Sequence, residues 1–328
     1  MTAADRPHPW LDRDLVVVTG KGGVGKTTVA AALAWHAARS GLRVLACELD
    51  AVGNLDVCVL GPGAAGVGRI PASGYRPVER RPGLWTMSMD PEESLKEYLR
   101  INLRLPLITR IGALSGVFDF LANAAPGVRE VVTIGKVAYD VRQRAYDLVV
   151  VDAPASGHVV GLLHAPEAIR ELVGVGLIRG QTEWMLDILR DPARTGVVAV
   201  TTPEEMPVTE VLELVDRLRV EARVDVAGVV VNRVLPEPFS VSDGRLADRL
   251  RADDRRTTSM LGPAGPALFA AAAFAVAMRR IRQPHVDRLV AGLPAGMHTV
   301  FVPWLPGAEA GPATTEAVAD LLADELGW

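Results

Sequence analysis

The sequence predicts an α/β protein: a mostly parallel, doubly wound sheet flanked by helices, with helical insertions forming a cap layer over it. Two observations carry this. Short β-branched, apolar runs recur along the 328 residues, and most lack polar alternation. Strands of that kind are buried on both faces, as in a parallel sheet covered by helices. Between them lie stretches with helical periodicity rather than hairpin turns. No Gly/Ser linker divides the chain, so residues 1–328 are expected to form one domain with inserted subdomains.

The first strand is Leu15–Thr19, an apolar run that feeds a glycine loop, Gly20 to Thr28, reading G-K-G-G-V-G-K-T-T. An Ala-rich helix, Thr27–Arg39, follows. Strand, glycine loop, Lys-Thr and helix in that order hold a nucleoside triphosphate, so the fold is read as a P-loop NTPase. Glycine lets main-chain N–H groups turn inward around phosphate oxygens, and the helix N-terminus adds partial positive charge. Gly22, Gly23, Val24, Gly25, Lys26, Thr27 and Thr28 are the candidate ATP-binding residues. Lys26 is placed on the β- and γ-phosphates and the Thr27 hydroxyl on Mg²⁺. Gly20, Gly22 and Gly25 also satisfy the dinucleotide pattern G-x-G-x-x-G, with Glu48 as its ribose acid. Gly-Lys-Thr directly after the last glycine decides against that reading. So does a second loop lysine, Lys21, in a chain with four lysines and thirty-one arginines.

The second strand, Arg43–Glu48, leads into E-L-D-A-V-G-N-L-D, where Asp50 is placed to orient the attacking water. Gly61–Gly83, rich in Gly, Pro and Arg, reads as a surface loop before a third strand, Leu84–Met89. A helical insertion at 91–145 precedes the fourth strand, Asp147–Asp152. Asp152 ends that strand in the Walker-B position, holding Mg²⁺ through water. Gly157 frees the turn that follows. His158 reads equally as a relay to the helical layer or as a surface histidine. A second insertion, 159–192, comes before the strand Gly196–Thr201 and the helix Pro207–Glu221, with Pro207 as its first residue. The strand Val226–Asn232 ends in an amide that offers adenine both a donor and an acceptor. A third insertion, 240–292, contains the fifteen-residue apolar run Ala264–Met278, shorter than the roughly 20 residues a bilayer span needs. It is read as a helix lying on protein and ended by Arg279 and Arg280. The last strand, Thr299–Trp304, brings Pro303 to the border of the base, and Thr315–Leu326 is the closing helix.

Composition narrows the function classes. A net charge of −4 gives no electrostatic case for nucleic acid. Cys47 and Cys58 form no C-x-x-C pair, so a structural zinc is not indicated, and they read as small buried hydrophobes suited to a reducing cytosol. The first fourteen residues carry Asp5, Asp12, Arg13 and Asp14 and no apolar core of a signal peptide. A cytoplasmic protein without stable membrane insertion is expected.

Lys21 ahead of the usual lysine resembles the deviant phosphate loop of dimeric P-loop ATPases. Within that class, D-A-P-A-S-G-H (Asp152–His158) resembles the D-T-A-P-T-G-H signature of the arsenite-pump and tail-anchored-protein-targeting ATPases. D-A-V-G-N resembles that branch's D-P-A-H-N switch, keeping Asp50 and Asn54. A-P-G-V-R-E (Ala125–Glu130) resembles its P-G-x-x-E entry into a helical subdomain, and V-V-N-R (Val230–Arg233) its adenine-contacting V-N-Q. The resemblance runs from Leu15 to about Pro306. It implies a Mg²⁺-dependent ATPase in which Lys21 reaches the partner's nucleotide across a homodimer, or a heterodimer with a paralogue. Lys21, Lys26 and Asp50 are then the catalytic residues, and Asn54, Asn232 and Pro303 join the nucleotide site. Open and closed forms would act on a hydrophobic client or a membrane-protein partner. The metalloid cysteines, the zinc C-x-x-C and a methionine-lined groove are missing, so neither arsenite nor a tail-anchored helix carries over. The alternative is a nucleotide-switched positioning protein of the division-site type. Against it stand Glu316, Asp320, Asp324 and Glu325 on the last helix, where that type is basic.

Overall fold

The computed structural model of the protein describes residues 10–49, 53–62, 76–89, 127–172, 177–236, 249–250 and 252–328. Eight strands form one sheet in the order β3-β4-β2-β5-β1-β6-β7-β8. They are β1 Leu15–Gly20, β2 Val44–Glu48, β3 Val78–Arg81, β4 Leu84–Ser88, β5 Leu148–Ala155, β6 Thr195–Thr201, β7 Val226–Val234 and β8 His298–Pro303. Every neighbouring pair is parallel except β3 with β4. The predicted α/β class and parallel sheet are therefore found.

Helices cover both faces, as period-two burial of each strand requires. Val16 and Val18 of β1 point to a layer made by α1 (Lys26–Arg39), α2 (Asn54–Leu60) and α9 (Pro312–Leu326). Leu15 and Val17 point to the other layer, made by α3 (Val128–Gln143), α4 (Ser156–Leu172), α5 (Leu177–Leu189) and α6 (Glu205–Arg217). Alanines 30, 31, 32, 34 and 37 give α1 an almost smooth surface, and all are fully buried. Ahead of β1, Trp10 lies wholly inside the protein and donates from its indole nitrogen to the Ala227 carbonyl at 3.0 Å. Its ring stands where a side chain at residue 228 would be, and Gly228 leaves it room.

Three local expectations are corrected. Gly61–Gly83 is not all loop, because its end forms β3, V-E-R-R. This edge strand alternates half-buried and exposed positions, and its charges mask the apolar signal while blocking edge-to-edge pairing. Arg80 points inward to a bidentate pair with Asp56 (2.9 and 2.8 Å). Pro207 is the third residue of α6, still in the first turn where no N–H donor is needed. The apolar run belongs to α8, Gly265–Gly292, which continues thirteen residues beyond Arg279 and neither ends at the arginine pair nor lies buried on the protein. Arginine is a good helix former and breaks nothing. A short helix, α7 (Asp254–Leu261), precedes it. Of the insertion predicted at 91–145, α3 is described; residues 91–126 lie outside the described residues.

Candidate nucleotide site

β1 ends beneath the loop at Gly20, where a Cβ would stand 2.1 Å from the Val200 carbonyl oxygen of β6. No other residue fits so close to a neighbouring strand. Gly23 and Gly25 take left-handed φ values of 84° and 98°, which turns the loop into the start of α1. Lys26 Nζ reaches back to the Lys21 carbonyl at 3.3 Å, so its ammonium arches over the loop. Thr27 Oγ1 donates to Asp152 Oδ2 at 2.6 Å, joining the loop to β5, which does not end at the aspartate as expected but continues three residues to Ala155. Thr28 faces the other way, toward the buried Cys58 thiol, which burial pushes up to about 11. The Thr28 side chain thus packs the helix, leaving its main chain to the loop.

Lys21 leaves the loop on the opposite side. It pairs with Glu210 on α6, and Ser156 Oγ donates to the second oxygen of the same carboxylate at 3.2 Å. Asn232 sits under the loop, buried, at the end of β7. Its Nδ2 donates to the Val24 carbonyl at 2.8 Å and its Oδ1 accepts the Arg233 N–H at 2.9 Å. A Cβ on Gly25 would lie 2.3 Å from that Nδ2. Asn232 therefore braces the phosphate loop, with both its donor and its acceptor engaged inside the protein rather than left open for a base. Pro303 pairs in register with Val234, which sets it beside Asn232 at the same end of the sheet.

Asp50 lies outside the described residues, but both ends of its segment are fixed. Leu49 N–H donates to the Asp152 carbonyl at 3.2 Å. On the far side, the Glu48 carboxylate accepts Gly53 N–H (2.8 Å), Asn54 N–H (3.2 Å) and Ser88 Oγ (3.2 Å). Asn54 thus opens α2 with its main chain on Glu48, while its side chain is exposed. Glu48 is opposite Asp152 in register. Burial raises its pKa to about 7 and the Asp152 charge adds to the rise, against the lowering by Gly53. His158 is exposed on α4, where it lines a cavity of about 600 Å³ with Glu130, Thr133 and His164.

The residues brought together suit a nucleoside triphosphate. Two hard oxygen donors, Thr27 and Asp152, converge beside the loop, and Mg²⁺ takes few protein ligands when phosphates supply the rest. The family model for anion-transporting ATPases matches residues 13–186 and 177–260. The chain belongs to this family. It is an ATPase. It is 31% identical over 240 residues to ATPase BagA of Mycobacterium tuberculosis, covering 70% of this chain and 67% of that protein. It is 27% identical over 295 residues to ATPase ARSA2 of Chlamydomonas reinhardtii, covering 75% and 76%. The arsenical pump-driving ATPase of Acidiphilium multivorum matches at 27% over 249 residues, 70% of this chain and 41% of that one.

Two residues of this anion-transporting ATPase site were not assigned these roles from sequence. Glu48 is visible in the sequence as a charged residue ending an apolar strand, where the pattern alone suggests a ribose acid. Glu210 carries no sequence signal, because it is one of several acids on an ordinary amphipathic helix.

Proposed function

We propose that the chain hydrolyses Mg·ATP as a dimer, with itself or with a paralogue, and that the cycle moves its helical layer against a hydrophobic or membrane-protein client. The observation that supports this best is the different direction taken by the two loop lysines. Lys26 stays over its own loop, whereas Lys21 points out of it to Glu210. A cation outside its own phosphate cradle is available to a neighbour's.

In this reading, main-chain N–H groups from Gly22 to Gly25 and Lys26 bind and orient the phosphates. Thr27 and Asp152 would hold Mg²⁺, which would supply positive charge beside the phosphoryl oxygens. Asp50 orients the attacking water. Lys21 exchanges Glu210 for the nucleotide of the facing protomer. Glu48 and the Leu49 amide hold the two ends of the Asp50 segment, one of them on the metal-bearing strand.

The test is turnover per protomer as a function of protein concentration, with and without Mg²⁺. A rate that rises with concentration alongside a doubled mass in Mg·ATP is expected. Lys21→Ala should keep Mg·ATP binding by calorimetry and lose about a hundredfold or more in turnover. A rate independent of concentration down to the monomer range removes the dimeric reading.

A further inference from the structure

α7 and α8 form a hairpin that stands off the sheet. At its bend a Cβ on Gly265 would lie 2.4 Å from the Thr257 carbonyl, so the two helices meet closely there. The C-terminal part of α8 is the anchor. Leu289 is fully buried, Gly292 packs on Leu212, Arg282 pairs with Glu204 at 3.0 Å, and Arg279 donates to the Leu235 carbonyl. The N-terminal part is different. From Gly265 to Met278 there is no polar side chain on any face, and Leu268 and Phe274 are 59% and 68% exposed. Only 6% of the most apolar 18-residue stretch of this hairpin is buried. Met260 and Leu261 add exposed apolar side chains at the bend.

We infer that this hairpin inserts into the surface of an anionic lipid bilayer. A helix that is apolar around its whole circumference finds a matching environment in a protein core or in lipid. A docked protein covers one stripe and leaves the rest in water; acyl chains cover all of it. Fourteen residues are about 21 Å long, short of a hydrocarbon core of about 30 Å, so the segment enters one side without spanning. Charge frames the apolar tip. With Arg279 and Arg282 held by the anchor, the exposed Arg255 and Arg256 on α7 and Arg280 and Arg288 on α8 still outnumber the exposed Asp253, Asp254 and Asp287 by one, although the whole chain is net negative. Arginines at the edge of an inserted apolar segment lie at headgroup depth and favour anionic lipid. This inference stands independently of dimeric hydrolysis.

The experiment is flotation of the intact protein with vesicles of phosphatidylcholine alone or with about one-third phosphatidylglycerol. Binding to the anionic vesicles, weakened by salt, is expected. Leu268→Glu with Phe274→Glu should weaken it about tenfold or more at unchanged ATP turnover, because losing one buried Phe from lipid exceeds the energy of a tenfold change. Arg255→Gln, Arg256→Gln and Arg280→Gln together should remove the preference for anionic lipid. As a gentler probe, Ala271→Cys carrying a polarity-sensitive dye should shift to the blue on anionic vesicles; Cys47 and Cys58 are buried and stay unlabelled. Absence of flotation, flotation undiminished by the double Glu variant, or a dye that does not respond overturns the inference. So does a double Glu variant that changes only the mass of the protein in solution, which would make this face a protein interface.

Discussion

Glu48→Gln gives the most direct test of how the Asp50 segment is held. The carboxylate is 1% exposed, accepts two main-chain amides and a hydroxyl, and stands beside Asp152. Its pKa rises from 4.5 to about 7, chiefly through burial. A folded-state value above the unfolded one means that the neutral form is favoured by folding. The stability it contributes is complete below about pH 4.5 and is lost as pH rises through 7. At about 1.4 kcal/mol per unit, the loss amounts to about 3 kcal/mol by pH 8. Glutamine resembles the neutral carboxyl, since each keeps a single carbonyl acceptor and so leaves one of the Gly53 and Asn54 amides, which bind different oxygens, without a full partner. Urea unfolding in a chelator, from pH 5 to 8.5, should therefore show the two proteins close together at the acid end. By pH 8 the variant should be more stable by about 3 kcal/mol, since only the wild type carries the buried charge. Parallel stability curves for the two proteins would refute the reasoning. Turnover of the variant should fall even so, because a neutral amide grips the two main-chain N–H groups less firmly.

Other outcomes follow from the same geometry. Gly25→Ala must place a Cβ against Asn232 at a φ of 98°, and should cost about 1–3 kcal/mol of stability together with most ATP affinity, read by thermal denaturation and calorimetry. Thr27→Ala removes the hydroxyl on Asp152 and should raise the Mg²⁺ concentration for half-maximal turnover about tenfold, with ATP binding in chelator little changed. Glu210→Gln releases Lys21 from a half-exposed pair worth at most about 1 kcal/mol, so steady-state turnover should rise by no more than about fivefold. A fall in turnover would mean that Glu210 supports the active form.

The parallel sheet and the phosphate loop were legible because burial on both faces leaves strands without polar interruption. Gly20 and Gly25 sit where a neighbouring strand or side chain permits no Cβ. Asp152 was legible because a charge at the tip of V-V-V has no structural reason to be there. β3 was not, since the edge strand V-E-R-R shows no apolar period and its arginines find their partners, Asp56 and the Val59 carbonyl, more than twenty residues away. Glu210 is a tertiary partner, 189 residues from Lys21, and nothing local marks it. Asn232 was read for its amide, but the brace on the Val24 carbonyl depends on how β7 ends beneath the loop. The extent of α8 is not legible, because an arginine pair after an apolar run is at once a break in the apolar pattern and a good helix former.

The tryptophan tucked beneath β7 governs how this molecule can be shortened. A version starting at the first residue of the phosphate strand would keep every group proposed to bind nucleotide. It would also leave an indole-sized void against Gly228 and an unanswered carbonyl at Ala227. Laboratory trimming should stop ahead of the indole, and a cleavable tag needs enough spacer to leave that ring in its place against Gly228.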